Sequence, residues 1–530
     1  MKKTVKMLAG EVWYGPSSNH GAANPHGEDS VYSVNIETGA SCNQDNPLLL
    51  SSLCRIIWAP KGFDLHIEGG VIDVSSKYGD IELLEGYGNL RGAYLEACRR
   101  YFLTPGVPGA EYLGAVPPEE FFRIPQYNTW IELIYDQNQE DVLRYAHGII
   151  ENGMPAGILM IDDGWNNYYG SFRFSAEKFP DPAGMCRELH ELGFKVMMWI
   201  CPFISPDSPE YRYLAEHGML ICDESPSPGA LQDVGVPSIK PPARPAVREW
   251  WNGWSAVLDM TNPETEKWLD ERLGALTALG VDGFKLDAGD AIYYHEGDVT
   301  HTPVTPAEHA RLWNLYGLKY RYNEFRACFG CAGLPLVQRL HDKAHDWKRG
   351  VAVLVPDTLV QSLMGYAYTC PDMIGGGSFA DFLPGSTTFD SELFLRSCAA
   401  SALMPMMQFS LAPWRVLTPE EYEATLGFIA LHEKYADKIV ELAKGAAVSG
   451  EPVVRHLSYV FPDEGFERVT DCFMLGDDVL VAPVCEKGVR ARTLRLPSGK
   501  WMYADGTIYE GGAEVTVDAP LNILPHFVKV

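Results

Sequence analysis

Between about residue 128 and residue 409 the chain alternates short apolar runs with amphipathic stretches, and this alternation constrains its fold more than any other feature. Segments 129–135, 157–162, 194–200 and 281–287 read as strands because they are short, apolar and rich in β-branched or aromatic residues. Helix signals fall between them. Segment 140–152 places Val142, Tyr145, Ile149 and Ile150 at helical spacing and stops at Gly153. Asp181 caps a second helix with Pro182 at its first position; Met185 and Leu189 face inward, and Gly193 ends it. Asn262 and Pro263 open a third, whose stripe is Trp268, Leu269, Leu273 and Leu276 and whose stop is Gly280. Segments 334–338, 351–354, 366–370 and 403–409 bring the strand candidates to eight. Eight such units in about 300 residues predict a (β/α)8 barrel. A doubly wound sheet is the alternative, disfavoured because no Gly-rich phosphate turn follows the first strand.

The flanks have a different texture. Residues 1–118 are rich in Gly, Ser and Asn, with short apolar runs at 52–59 and 63–67. This predicts an N-terminal β-sandwich, joined through the Pro- and Gly-rich stretch 105–119. From about 440 the texture returns, with strands at 478–484, 493–496 and 513–517 and turn signals between them. The expected order is therefore a β-sandwich (1–118), a barrel (119–440) and a second β-sandwich (441–530), an α/β chain of 530 residues.

Charge and cysteine usage narrow the partners. Lys and Arg number 43 against 70 Asp and Glu, a net charge of −27, which argues against nucleic acid or an anionic membrane surface. The twelve cysteines are scattered, and the single Cys328-x-x-Cys331 pair lacks a second pair or a nearby His, so reduced thiols are expected. Lys6 interrupts the N-terminal apolar run, and no stretch reaches the roughly 18 apolar residues of a membrane span. The expectation is a soluble, cytoplasmic protein. The 13 Trp suit a carbohydrate site, because sugar C–H faces stack on indole, although most of these rings must be core.

In a barrel, chemistry gathers at the C-terminal ends of the strands. The candidates there are Asp162, Asp163, Trp165, Trp199, Lys285, Asp287, Arg339, Asp342 and Asp372. Each has an ordinary reading as a loop cap, rim packing or an internal ion pair. Their convergence at one end favours a site. Two chemistries use several carboxylates at a barrel mouth: a hard metal ion held by Asp oxygens, and glycoside hydrolysis by two carboxyl groups flanking the scissile bond. Nearby Trp favours the second.

Several long stretches resemble glycoside hydrolase family 31: MIDDGW (160–165), KFPDPAGM (178–185), LHELGFKVMMWICPF (189–203), GVDGFKLDAGD (280–290), DKAHDW (342–347), GYAYTCPDMIGGG (365–377) and MPMMQFSLAPW (404–414). DCFMLGDDVLVAPV (471–484) and LRLPSGKW (494–501) resemble the β-sandwich that follows that barrel. The resemblance implies a retaining, exo-acting α-glycosidase with two catalytic Asp and no cofactor or metal. It places the nucleophile at Asp287, kept ionised by Lys285. The acid/base maps to Asp342, five residues before Trp347, with Asp346 and Asp357 as lesser candidates; Asp357 would cap a helix. The acid/base should have a raised pKa, and the two carboxyls should stand about 5–5.5 Å apart.

Asp162 and Asp163 fall where the family holds the sugar hydroxyls furthest from the scissile bond. Lys285 and Arg339 are expected to bond ring hydroxyls, Trp165, Trp199 and Trp347 to form walls, and Asp372 to order the loop beneath. Trp13 or Tyr14 could reach the rim. Lys-Leu-Asp-Ala-Gly-Asp at the nucleophile, Arg-Leu-His-Asp-Lys at the acid/base and the missing His after strand eight depart from the common α-glucosidases. The pattern is closer to the branch containing the myogenesis-regulating glycosidase, which implies α-galactoside substrates. The alternatives are α-glucosidase or α-xylosidase, sulfoquinovosidase, or a catalytically weak sugar-binding protein. The partner expected is a small oligosaccharide or glycoside.

Overall fold

The computed structural model describes residues 1–38, 43–223 and 244–530. Eight segments form one parallel sheet: β1 (Gln126–Asn128), β2 (Ile158–Ile161), β3 (Lys195–Ile200), β4 (Gly283–Leu286), β5 (Tyr322–Phe325), β6 (Gln338–Arg339), β7 (Thr369–Cys370) and β8 (Gln408–Phe409). Each pairs with the next from β1 to β7, and β1 pairs with β8. A parallel bridge between Met373 and Gln408 closes the ring. The (β/α)8 barrel is thus the observed architecture.

Three strand positions differ from the expectation. Segment 129–135 is not β1. The Asn128 side chain accepts from Trp130 N at 2.7 Å and turns the chain into the short helix Trp130–Leu133. The segment read as the fifth strand lies at β6, and the true β5, Tyr322–Phe325, has no counterpart among the predicted strands. Segment 351–354 is helical: Trp347–Val351 is a π turn that runs into the helix Ala352–Leu363. The total of eight holds because two predicted segments, 129–135 and 351–354, are not strands, while two strands, β1 and β5, lie outside the predicted ones.

The outer helices follow the caps in the sequence. Asp181 accepts from Gly184 N at 2.9 Å to start Pro182–Glu191, and Asn262 accepts from Glu264 N at 3.0 Å to start Pro263–Ala278. Met185, Leu189, Leu269 and Leu273 are fully buried against the barrel.

The N-terminal domain packs two four-stranded sheets face to face over Val34, Leu49, Ile57, Leu65 and Ile72. The C-terminal domain has a six-stranded and a two-stranded sheet around Trp501, Leu480 and Phe527. The helix Pro419–Ser449 carries unbroken through residue 440, where the sequence texture suggested a boundary, and the C-terminal strands begin at Val454. Every described cysteine is free, Cys328 and Cys331 included; Cys42 lies outside the described residues. Among the described residues no helix is long and apolar enough to cross a membrane, and no cluster of His, Cys, Asp and Glu could hold a metal ion.

Candidate active site

The pocket opens at the C-terminal end of the barrel, as the strand polarity requires. It has a volume of about 380 Å³, room for one sugar ring, and is lined by Asp162, Asp163, Trp199, Lys285, Asp287, Arg339 and Asp342 among others. Lys285 and Asp287 are two residues apart at the end of β4, so both project to the barrel interior.

Asp287 is held at both oxygens. Its Oδ2 accepts from Trp199 Nε1 at 2.7 Å and lies 3.7 Å from Lys285 Nζ. Its Oδ1 accepts from Ala288 N at 2.8 Å and lies 3.7 Å from Arg326 Nε. Burial works against its ionisation, but Lys285, Arg326 and Arg339 outweigh burial and hold the carboxyl below the usual range. The residue is therefore an ionised, oriented carboxylate.

Asp342 faces the same pocket with its side chain 46% exposed. Arg339 Nη1 donates to it at 2.6 Å, and Arg326 Nη1 stands 3.6 Å away. Desolvation favours the neutral form, yet Arg339, Arg326 and Lys285 pull this pKa down, the reverse of the raised value expected for a resting general acid. One guanidinium, Arg326, lies between the two carboxylates and under the Trp251 ring, with 4.7 Å from its carbon to the ring centre.

Asp162 takes Lys285 Nζ and Asn128 Nδ2 on its Oδ2, each at 2.7 Å, and Asp163 N on its Oδ1 at 2.9 Å. Asp163 accepts from Asn252 Nδ2 at 2.6 Å and Tyr169 OH at 3.1 Å through Oδ2, while its Oδ1 is buried without a partner among the described residues. Burial, then the Asp162 charge beside it, pushes the Asp163 carboxyl up to about 7. Its neutral form can donate a hydrogen bond to a ligand.

Two expected walls, Trp165 and Trp347, stand elsewhere, and Asp372 lies beneath the pocket. Trp165 is fully buried and donates to Trp199 O at 2.8 Å, so it backs the wall without forming it. Trp347 donates to Asp390 Oδ2 at 3.0 Å and does not line the pocket. Asp372 is buried beneath the floor, accepting from Arg339 Nη1 and Lys343 N, both at 2.7 Å, so it fixes Arg339 and is not a pocket wall. Its backbone sits at φ 93°.

The lesser acid/base candidates are engaged away from the pocket. Asp346 caps the π turn through Lys348 N and Arg349 N. Asp357 lies inside its helix and not at the cap, paired with Lys343 Nζ at 2.6 Å. Trp13 and Tyr14 are buried and do not reach the rim; Tyr14 OH donates to Glu467 O at 2.7 Å.

Sequence reasoning missed Arg326, because β5 was not read, and the walls Trp130, Tyr135, Trp251 and Phe379, which come from the segments between the barrel strands. Trp251 and Asn252 sit at the tip of the hairpin Val247–Trp250/Gly253–Val257, a pairing visible only once the chain folds back.

The Glycosyl hydrolases family 31 TIM-barrel domain matches residues 122–333, and the Glycosyl hydrolase family 31 C-terminal domain matches residues 450–530. The chain is 31% identical over 442 residues to the myogenesis-regulating glycosidase of Mus musculus, covering 80% of this chain and 57% of that protein. It is 26% identical over 420 residues to an alpha-xylosidase of Lactiplantibacillus pentosus, covering 72% and 50%. It thus spans about half the length of the curated relatives it matches. A GH31 dextranase of Flavobacterium johnsoniae complexed with glucose shares the fold at a TM-score of 0.82 and 20% identity, over 100% of this chain and 66% of that one. With two family domains matched in order and a barrel whose mouth holds both motif carboxylates, this chain belongs to glycoside hydrolase family 31.

Proposed function

We propose that the chain hydrolyses terminal α-linked sugars with retention of configuration, with α-galactosides as its preferred substrates. The observation that carries this reading is Asp287: a carboxylate fixed by Trp199 and Ala288, kept ionised by Lys285 and Arg326, and facing a ring-sized pocket beside a second, solvent-accessible carboxyl.

In the first step Asp287 attacks the anomeric carbon as the glycosidic C–O bond breaks, and the leaving oxygen takes the proton of Asp342. In the second, water attacks the glycosyl ester, gives its proton to Asp342 and releases Asp287. Lys285 and Arg339 line the pocket at strand ends, as groups that bond ring hydroxyls would, and Asp163 brings a buried oxygen with no partner among the described residues. The departures at strand ends four, six and eight (Lys285, Arg339 and a buried Ser410 that accepts from Ile131 N at 2.7 Å) set the chain apart from the common α-glucosidases, and galactose itself is inferred from relatedness. The relatedness is to the branch of the myogenesis-regulating glycosidase, whose resemblance implies α-galactoside substrates.

The test is a panel of nitrophenyl α-glycosides. Galactoside turnover with α-galactose as the first product by NMR, abolished in Asp287→Ala, supports the reading. Faster cleavage of the glucoside, xyloside or sulfoquinovoside overturns the substrate. Sugar binding without turnover of any of them favours the second reading, a binding protein, whose specific support is the lowered pKa of Asp342.

A further inference from the structure

No residue of the N-terminal domain lines the pocket among those described, yet that domain reaches its floor. Arg326 follows β5 and Arg339 closes β6, and these two cations flank Asp287 and Asp342. The main-chain carbonyls of both arginines are held by one side chain. Gln44 Nε2 donates to Arg326 O and, at 2.6 Å, to Arg339 O. The amide is fully buried and cannot flip freely, because its Oε1 accepts from Ser18 Oγ at 3.0 Å and Gln361 Nε2 at 3.1 Å. Its backbone is fixed as well: Gln44–Asp45 pairs in parallel with Cys328–Phe329, two residues beyond Arg326. Asn43 Nδ2 adds a second donor to Arg326 O at 3.2 Å.

We propose that Gln44 is a positioning residue for catalysis: it ties the ends of β5 and β6 together from outside the barrel and so sets where the two guanidinium groups stand relative to the catalytic carboxylates. The geometry demands such a tie. β5 and β6 share a single register pair, Phe325 with Gln338, so their ends have little ladder of their own to hold them. Arg326 faces Asp287, Asp290 and Asp342; Arg339 faces Asp342, Asp372 and Glu324; Lys285 is the remaining cation at Asp287. Withdrawal of either arginine from this cluster therefore lowers the positive charge felt at both catalytic groups. The N-terminal domain becomes part of the active site without touching substrate.

The proposal rests on the roles of Asp287 and Asp342 given above, and its test separates the two. Gln44→Met keeps the side-chain length and removes the donor. Asn46→Ala, two residues on in the same buried segment, removes a different interdomain bond, to Met364 O at 2.7 Å, and serves as the docking control. With the cations displaced, both carboxyl pKa values rise, so both limbs of the kcat/KM profile move to higher pH, by about half a unit or more, with kcat down about tenfold at the optimum. Asn46→Ala leaves the limbs in place while lowering Tm.

If Gln44→Met does not fold, Gln361→Met, which frees the Gln44 amide, is expected to give the same shift at smaller size. Should the wild type turn over no glycoside, the function reading fails, and the same variants are read on binding of 1-deoxygalactonojirimycin, whose protonated amine needs an ionised Asp287. Unmoved limbs in Gln44→Met, with Asp287→Ala inactive, overturn the positioning role alone.

Discussion

Lys285 offers the sharpest test of how the pocket keeps Asp287, its proposed nucleophile, ready. Its ammonium is buried, 2.7 Å from Asp162 and 3.7 Å from Asp287. At an effective dielectric of about 20, a unit-charge attraction across the longer of these gaps is about 4.5 kcal/mol. At 1.36 kcal/mol per unit, that sets a ceiling of about three pH units on what Lys285 contributes to Asp287. Arg326 remains at 3.7 Å from the other oxygen and offsets part of the loss. Lys285→Met should therefore move the acid limb of kcat/KM upward by about one to two units. The sign follows from the role: the nucleophile must be ionised, its pKa is lowered by the cation, and removing the cation raises the pH at which it ionises. The assay is nitrophenyl α-galactoside turnover from about pH 4 to about pH 9. Activity should fall most at the acid end and recover in part towards neutrality. An equal loss at every pH would mean that Lys285 serves only to bond the sugar, and would refute the electrostatic role.

Two further outcomes follow from buried carboxyls. Asp163 is protonated below about pH 7, so Asp163→Asn should keep KM within about threefold at pH 5 and remove the KM rise of the wild type above neutrality. Because its folded pKa is raised above the unfolded value, the stabilisation it gives is present at low pH and lost as pH rises through about 7; the Tm of Asp163→Asn should gain on the wild type between pH 5 and 8 or so. Lys343→Met leaves Asp357 buried without its ion-pair partner, which should cost about 3–5 kcal/mol in denaturant unfolding. Adding Asp357→Leu should recover more than half of that loss, and no recovery would mean that the pair itself stabilises the fold.

The parts of the fold that were legible in the sequence are those set by local chemistry. Asp181-Pro182 and Asn262-Pro263 start their helices where their caps place them, and β2, β3 and β4 are apolar runs that end in the residues expected. β5 was illegible because its interior residue is Glu324, fully buried and bonded by Gln408 Nε2 at 2.7 Å. A barrel layer made of charge inverts the rule that buried positions are apolar. Trp347 and Trp165 misled for the opposite reason: a Trp near a motif carries no record of which way its ring points. Asp357 was placed at a cap because the helix start was set by Pro356, but a preceding π turn moves the start back to Trp347.

The total charge of −27 is silent on chemistry; the charge that matters is partitioned inside the barrel. Lys285, Arg326 and Arg339 face Asp162, Asp287, Asp290, Glu324, Asp342 and Asp372 within ion-pairing distance. Three cations cannot balance six carboxylates, five of them buried, so some carboxyls must be pushed towards neutrality. Burial raises Asp290, Glu324 and Asp372, which lie behind the pocket, whereas Asp287 and Asp342, which line it, are lowered. The shell carboxyls, shifted towards neutrality, leave more of the cations' charge for the two pocket carboxylates. Of those two, Asp287 is enclosed and Asp342 is half exposed. A group that must lose and regain a proton in each cycle needs access to water, and a nucleophile that must stay ionised does not. The proposed division of labour between the two Asp residues thus agrees with their exposure as much as with their charge.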